Sequence, residues 1–161
     1  MSERLRRFVA ADPDKCDGCG ICEYVCSMEK EKVFNPLKSR IRVVRLNLIA
    51  NVAIACRLCE DAPCVAACPR EALSQSEETG VIMVDEDKCD GCGWCIEACE
   101  FGAITLHPDS KVVIVCDLCG GEPKCVDWCP EEALKLVTRD ELATKARVEA
   151  ARKLFGETAV P

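Results

Sequence analysis

The chain has 161 residues, 16 of them cysteine, with only four Phe, two Trp and one Tyr, and a formal net charge of −7. That length accommodates one compact body, or two small modules packed as one, and excludes a large enzyme fused to a carrier. The acidic balance excludes nucleic acid as a partner, and so few large apolar side chains leave the interior to be completed by disulfides or by metal.

The opening residues MSERLRRFVAADPDKC carry basic side chains but no apolar run of signal-peptide length, and no stretch of about 18 apolar residues occurs anywhere. The chain is therefore expected to be soluble and cytoplasmic, without a membrane span; a partner bearing an export signal remains a route by which a folded subunit would leave. Thiols stay reduced in that compartment, which favours metal coordination over disulfides.

The first cysteine quartet follows: Cys16, Cys19, Cys22 and Cys26, spaced C-x2-C-x2-C-x3-C. The residues after its third cysteine, EYVC, suit a helical turn. Next comes VFNPLKSRIRV at 33–43. The basic stretch from Arg40 to Arg45 alternates charge with apolar residues, so a half-exposed strand is expected there rather than a phosphate site. The second quartet is Cys56, Cys59, Cys64 and Cys68, spaced C-x2-C-x4-C-x3-C-P, and LSQSEETGVIMVD behind it reads as a hairpin.

The third quartet, Cys89, Cys92, Cys95 and Cys99, repeats the first spacing, again with a helical turn at IEAC. A second expected hairpin, AITLHPDSKVVIV, leads to the fourth quartet, Cys116, Cys119, Cys125 and Cys129, spaced C-x2-C-x5-C-x3-C-P. Thr138 and Glu141 then form a possible capping box before ELATKARVEAARKLF, which holds no Gly or Pro and is the one long helix expected. Its apolar stripe, through Leu142, Ala146, Ala150 and Leu154, is weak; it covers this chain's own core or docks on a partner.

The quartets alternate A, B, A, B, and their flanks repeat: DPDKCDGCGIC at 12–22 matches DEDKCDGCGWC at 85–95, and CVAACPREAL at 64–73 matches CVDWCPEEAL at 125–134. This pattern is that of an internal duplication. The expected fold is α+β: duplicated bacterial-type ferredoxin-like modules, with short β-hairpins around four clusters, plus a C-terminal helix. Residues 1–137 form the double domain, with pseudo-repeats 8–75 and 81–137, and residues 138–161 the helix and tail.

Three cysteines spaced by two residues wrap one corner of a cuboidal cluster, while the fourth, one helical turn on, faces away. In two-cluster ferredoxins that fourth cysteine ligates the other cluster. Structural zinc favours two C-x2-C knuckles separated by a long spacer, which the quartets lack. Four [4Fe-4S] clusters are the expected cofactors, and the spacers EDAP at 60–63 and GGEPK at 120–124 leave room for a smaller cluster or a zinc ion at one site. Loaded, the chain carries a charge near about −15 if each oxidised cluster adds roughly −2.

Gly18, Gly20, Gly91 and Gly93 are expected to let the backbone approach inorganic sulfur. Pro69 and Pro130 follow a fourth cysteine and lack an N–H, whereas Ser27 and Glu100 occupy the same place elsewhere, so the clusters should differ in reduction potential. His107, beside Pro108, reads as a solvent-facing turn residue, and Trp94 and Trp128 as cluster shields, with electron exit the lesser alternative. No nucleophile-base arrangement, phosphate loop or dinucleotide fingerprint is visible, so no catalytic site is expected.

Symmetry admits two pairings of the quartets: first with second and third with fourth, or first with fourth and second with third. Across almost its whole length the sequence resembles the four-cluster electron-transfer subunits of molybdenum and tungsten oxidoreductases, the family that includes the iron-sulfur subunit of dimethyl sulfoxide reductase. That resemblance implies the nested pairing. Cys16, Cys19 and Cys22 would share a cluster with Cys129, and Cys116, Cys119 and Cys125 with Cys26; Cys56, Cys59 and Cys64 would share one with Cys99, and Cys89, Cys92 and Cys95 with Cys68.

The segment VFNPLKSRIRV is similar to one in small iron-sulfur subunits accompanying tungsten-containing aldehyde oxidoreductases, and in those serving carbon monoxide dehydrogenase and hydrogenase. The resemblance implies an ordered link between the first two quartets. It also implies a non-catalytic subunit passing electrons between a large tungsten or molybdenum pterin catalytic subunit and ferredoxin or another carrier. A free-standing polyferredoxin and a subunit of a carbon monoxide dehydrogenase or hydrogenase complex are the alternatives.

Overall fold

The structure, a computed structural model, describes residues 6–47 and 50–155. Its strands are short and occur in antiparallel pairs. The first, β1 (Arg7–Ala11), runs against the last, β8 (Leu134–Thr138), in register from Arg7 opposite Thr138 to Ala11 opposite Leu134. Just beyond this ladder the Asp12 N–H donates to the Ala133 carbonyl at 2.8 Å, so the start of the first quartet and the end of the fourth leave from one junction.

The same junction recurs further along the chain. Between β2 (Arg42–Arg45) and β3 (Asn51–Ile54), which pair with each other, and the next hairpin lies α2 (Pro63–Ala66). Strands β4 (Leu73–Gln75) and β5 (Ile82–Val84) form that hairpin, and the Asp85 N–H donates to the Ala72 carbonyl at 2.8 Å. The end of the second quartet thus meets the start of the third. Strands β6 (Thr105–Leu106) and β7 (Val113–Ile114) make the other expected hairpin. Isolated two-stranded ribbons of this length are marginal in water, so something shared between them must hold them.

Helix α1 (Ile21–Glu31) is longer than the single turn expected after Cys22. It runs on to Lys32, whose left-handed backbone (φ 58°) lets its N–H donate back to the Met28 carbonyl and close the helix. Helices α3 (Trp94–Ala98) and α4 (Lys124–Asp127), like α2, are single turns. Helix α1 packs on α4 and α2 on α3, the helical counterpart of the two strand junctions.

The link between the first two quartets is ordered where described. Asn35 caps a 3-10 turn at Pro36–Lys38 by accepting from the Leu37 N–H, Ser39 Oγ donates to the Ile41 carbonyl at 2.6 Å, and Arg42 donates to the carbonyls of Pro36 and Leu37. Strand β2 meets the expectation at 40–45.

Helix α5 (Arg139–Phe155) continues β8 without a break and opens on the expected capping box: Glu141 Oε2 accepts from the Thr138 N–H at 2.7 Å, and Thr138 Oγ1 from the Glu141 N–H at 3.2 Å. Leu142 packs against the core and Lys145 pairs with Asp12 at 2.6 Å. No residue of α5 is buried, and Leu154 and Phe155 are exposed. Of the two roles expected for it, covering this chain's own core is limited to the first turns of α5, because its apolar stripe is too sparse to bury more. The tail after Phe155 lies outside the described residues.

His107 also differs from expectation. It occupies the predicted turn, with Nδ1 accepting from the N–H groups of Asp109 and Ser110, but its side chain is only 12% exposed because Glu31 of α1 covers it at 3.7 Å. No helix among the described residues is long and apolar enough to cross a membrane.

Candidate metal centres

Each quartet opens on a C-x2-C loop, and the loops share one backbone device. The residue before the second cysteine has a left-handed conformation: Gly18 (φ 78°), Leu58 (48°), Gly91 (71°) and Leu118 (58°). In three loops the residue before it is an aspartate whose Oδ1 accepts from the next cysteine's N–H: Asp17 from Cys19 at 2.9 Å, Asp90 from Cys92 at 3.2 Å, Asp117 from Cys119 at 3.1 Å. Such an Asx turn holds the two cysteines of a loop in a fixed relation.

Glycine is required at 18 and 91 for a second reason. A Cβ would lie 2.8 Å from Asn51 Cγ at Gly18 and 2.4 Å from the Lys111 carbonyl oxygen at Gly91, whereas at Gly93 it would meet nothing within 4 Å. Packing of chain on chain, not approach to sulfur alone, explains the first two.

The cysteines line separate cavities. One of about 430 Å³, partly open to solvent, is bounded by Cys56, Cys59, Cys64 and Cys99 with Arg57, Ala62, Ile82, Phe101 and Ile104 among its walls. A second, about 290 Å³, is bounded by Cys68, Cys89, Cys92 and Cys95. A third, about 320 Å³, is bounded by Cys16, Cys19, Cys22 and Cys129. The remaining four, Cys26, Cys116, Cys119 and Cys125, meet where α1 packs on α4; the charge of Cys26 contributes to the upward shift of both Cys116 and Cys125.

Neighbouring sets also touch one another electrostatically. Cys125 feels Cys22, Cys116 feels Cys56, and Cys95 feels Cys64. The set of Cys116 therefore neighbours those of Cys16 and Cys56, and the set of Cys89 neighbours that of Cys56.

Burial dominates the thiol chemistry. It pushes Cys22 and Cys116 up to about 12 and Cys56 and Cys95 up to about 11, with like charge from neighbouring groups adding to it. These four thiols are neutral at pH 7, and iron binding must displace their protons.

Backbone N–H groups already point at three of the fourth-position sulfurs: Arg40 at Cys26 Sγ (3.2 Å), Ala72 at Cys68 Sγ (3.3 Å) and Ala103 at Cys99 Sγ (3.4 Å). Among the described residues no group of three or more His, Cys, Asp or Glu is arranged to hold a single metal ion. Soft thiols spaced around a void, with N–H donors aimed at sulfur, are the donor set of a cuboidal iron-sulfur cluster.

Two expectations change at this site. Trp94 and Trp128 are 64% and 66% exposed, so they stand in solvent beside Cys95 and Cys129 and do not shield from within; Trp94 opens the one-turn α3 and Trp128 directly follows the one-turn α4, helices too short to bury a tryptophan as well as a cysteine. The other concerns position 57. Arg57 occupies the place of the loop aspartates, its guanidinium carbon 5.0 Å from the Phe8 ring centroid and 5.6 Å from that of Phe101. The break from C-D to C-R was visible in the sequence, but its two aromatic partners come from β1 and from the end of the third quartet.

The fold and its thiol-lined cavities define an iron-sulfur protein. Residues 49–139 match the 4Fe-4S dicluster domain family and residues 13–29 the 4Fe-4S binding domain family. The chain is 46% identical, over 98% of its length and 99% of the relative's, to the polyferredoxin-like subunit of aliphatic sulfonate oxidoreductase from Pyrococcus furiosus. It is 39% identical, over 81% of its length and 89% of the relative's, to a putative electron transport protein, YsaA, of Escherichia coli. Among solved structures it resembles a chain of the active site complex BamBC of benzoyl coenzyme A reductase with benzoyl-CoA, at a TM-score of 0.52 and 30% identity over 95% of this chain and 92% of that one. The chain belongs to the 4Fe-4S dicluster domain family and binds [4Fe-4S] clusters.

Proposed function

We propose that this chain is the electron-transfer subunit of an oxidoreductase complex, with four [4Fe-4S] clusters ligated in the nested pattern. Cys16, Cys19, Cys22 and Cys129 hold the first, Cys26, Cys116, Cys119 and Cys125 the second, Cys56, Cys59, Cys64 and Cys99 the third, and Cys68, Cys89, Cys92 and Cys95 the fourth. The observation that carries this reading is the cavities, each walled by three cysteines of one quartet and the fourth of another. When bound, the clusters take up and release single electrons; the chain sets them side by side, with Cys22, Cys26, Cys56, Cys64, Cys95, Cys116 and Cys125 buried and Cys19 and Cys92 exposed. The repeated strand junction supports pseudo-repeats at 8–75 and 81–137.

The partner is a large catalytic subunit of the tungsten or molybdenum pterin type, with ferredoxin or another carrier at the other end. A subunit rather than a free carrier is favoured by large apolar side chains left exposed on and after α1, namely Tyr24, Met28, Phe34 and Leu37, with the Tyr24 and Phe34 rings 6.5 Å apart. The segment at 33–43 favours an aldehyde oxidoreductase as that partner. The relative from Pyrococcus furiosus supports a second reading, in which the substrate of the catalytic subunit is an aliphatic sulfonate.

Anaerobic purification from the native source, with metal analysis of what co-elutes, tests this. Tungsten or molybdenum with a large subunit, and iron and acid-labile sulfide near about sixteen each per chain, are expected. Nickel, a partnerless monomer, or iron near about eight would overturn it. Turnover of an aldehyde against an aliphatic sulfonate by the isolated complex separates the two partner readings.

A further inference from the structure

The four C-x2-C loops read C-D-G-C, C-R-L-C, C-D-G-C and C-D-L-C. Three place a carboxylate, and one a guanidinium, at the same position of the same turn. Arginine stays charged at any relevant pH, so the exchange alters the local charge by two without changing the backbone device.

The surroundings of the second loop reinforce the difference. Arg139 Nη2 lies 3.4 Å from the Leu58 carbonyl, and Arg6 Nη1 lies 3.5 Å from the Cys59 carbonyl. The acids nearby are weak counterweights: Glu60 is paired with Arg139 at 2.8 Å, and Asp61 and Glu100 are exposed. Apart from Arg57 and the solvent-exposed Glu100, the cavity wall is apolar, through Ala62, Ile82, Phe101 and Ile104, so the field of Arg57 is little screened there.

The other loops lean the opposite way. Beside Cys22 the buried Glu23 joins Asp17, while the cations near that loop, Lys15 and Arg45, are exposed and Arg45 spends its Nε on the Gly18 carbonyl at 3.0 Å. Asp117 is balanced by Lys30 at 2.6 Å; Arg40 pairs through Nη2 with Glu31 at 3.4 Å, while its buried Nη1 has no hydrogen-bond partner. Asp90 and its neighbour Arg70, 3.9 Å apart, are both about half exposed. Among the described residues, only the loop at 56–59 carries a cation in the place where the other three carry an aspartate, and Arg70, in the wall of the Cys89 cavity, faces Asp90.

We infer that Arg57 makes the centre held by Cys56, Cys59, Cys64 and Cys99 the most oxidising of the four, the place where a single electron comes to rest inside the carrier. The inference rests on the ligand sets proposed above. Taking one electron adds one negative charge to a cluster; a fixed cation stabilises that state and a fixed carboxylate opposes it. The centre neighbours those of Cys116 and Cys89, so an electron from either falls to it and leaves only when a second electron arrives or a partner of higher potential draws it out.

The test is a redox titration of the anaerobically purified holoprotein, followed by electron paramagnetic resonance with dithionite as reductant. R57D is expected to lower the highest midpoint by at least tenfold in the reduction constant, about 59 mV for one electron, while R57K leaves it near the wild-type value and the other midpoints stay in place. A highest midpoint unmoved in both R57D and R57Q overturns the inference, as does a shift confined to a lower one. If R57D fails to load iron, R57Q alone decides. C99S separates the two readings: it should abolish or alter the highest-potential signal, and if that signal survives C99S unchanged while R57D still shifts it, the ligand set is at fault and the role of Arg57 stands.

Discussion

Sixteen thiols divide into four sets through the partners each fourth cysteine finds. In the nested pattern Cys129 serves the same centre as Cys19, and Cys26 the same centre as Cys119. Replacing Cys129 or Cys19 with Ser should therefore perturb one and the same resonance signal, and C26S and C119S another. Signals that group C19S with C26S, as ligands of one quartet, would refute the pattern. The glycines make a second comparison. A left-handed backbone costs a side-chain-bearing residue about 1–2 kcal/mol, and at Gly91 the new Cβ also meets the Lys111 carbonyl oxygen. G91A should lower the melting temperature of the loaded protein distinctly more than G93A, whose Cβ is met by nothing within 4 Å. Equal losses would show that the clash relaxes. Both glycines lie in the same C-D-G-C-G motif, so only the packed chain distinguishes them.

The elements are individually weak and owe their order to their ends. Helix α5 has no buried residue and depends on its start: the Thr138–Glu141 box, Leu142 and the Lys145–Asp12 pair. Loss of a helix cap of this kind costs about 1 kcal/mol, so T138A should raise hydrogen exchange across α5 while cluster spectra stay unchanged; a changed spectrum would mean that the helix supports the centres. The pair with Lys145 holds the Asp12 carboxyl below its ordinary value. Its contribution, which for a partly exposed pair is about 0–1 kcal/mol, is complete above the unfolded carboxyl value and is lost as pH falls through the lower folded one. At neutral pH D12N should loosen the second turn of α5 to a similar small extent, read by the same exchange measurement. The capping box was legible because Thr and Glu three apart carry their own geometry. Lys145 meeting Asp12 was not, because 133 residues separate them.

At the scale of the molecule, the described residues form four separate strand pairs, with no larger sheet to join them. The core of the described residues is built mostly of small and medium side chains, with Phe8 its one aromatic, and Ile41, Leu58, Ser27 and Ser39 are its most completely sealed members. Apolar burial of that extent does not order so many short ribbons, so the thiol-lined cavities have to be filled for the fold to hold, and folding and cluster binding are one event. Anaerobic removal of iron with a chelator should collapse the far-ultraviolet circular dichroism in a single step along with the cluster absorbance. Native-like secondary structure in the iron-free chain would overturn this view. The adjacency of the sets also exists only at this scale, since β1 must cross to β8, and α1 to α4, before the outermost quartets share walls.

By itself the sequence determined the iron-sulfur chemistry: sixteen thiols in four quartets, two hairpins, a capped helix and a broken aspartate pattern at position 57 are all local, written in spacing and residue type. It left the pairing of quartets open, because the repeat is equally compatible with two arrangements. The tertiary structure brought fourth cysteines to the cavities of other quartets, exposed both tryptophans, partly covered His107 with Glu31 and stacked Arg57 against Phe8 and Phe101. Each of those outcomes depends on contacts between segments distant in the chain, and no local pattern of residues encodes which distant segment will arrive.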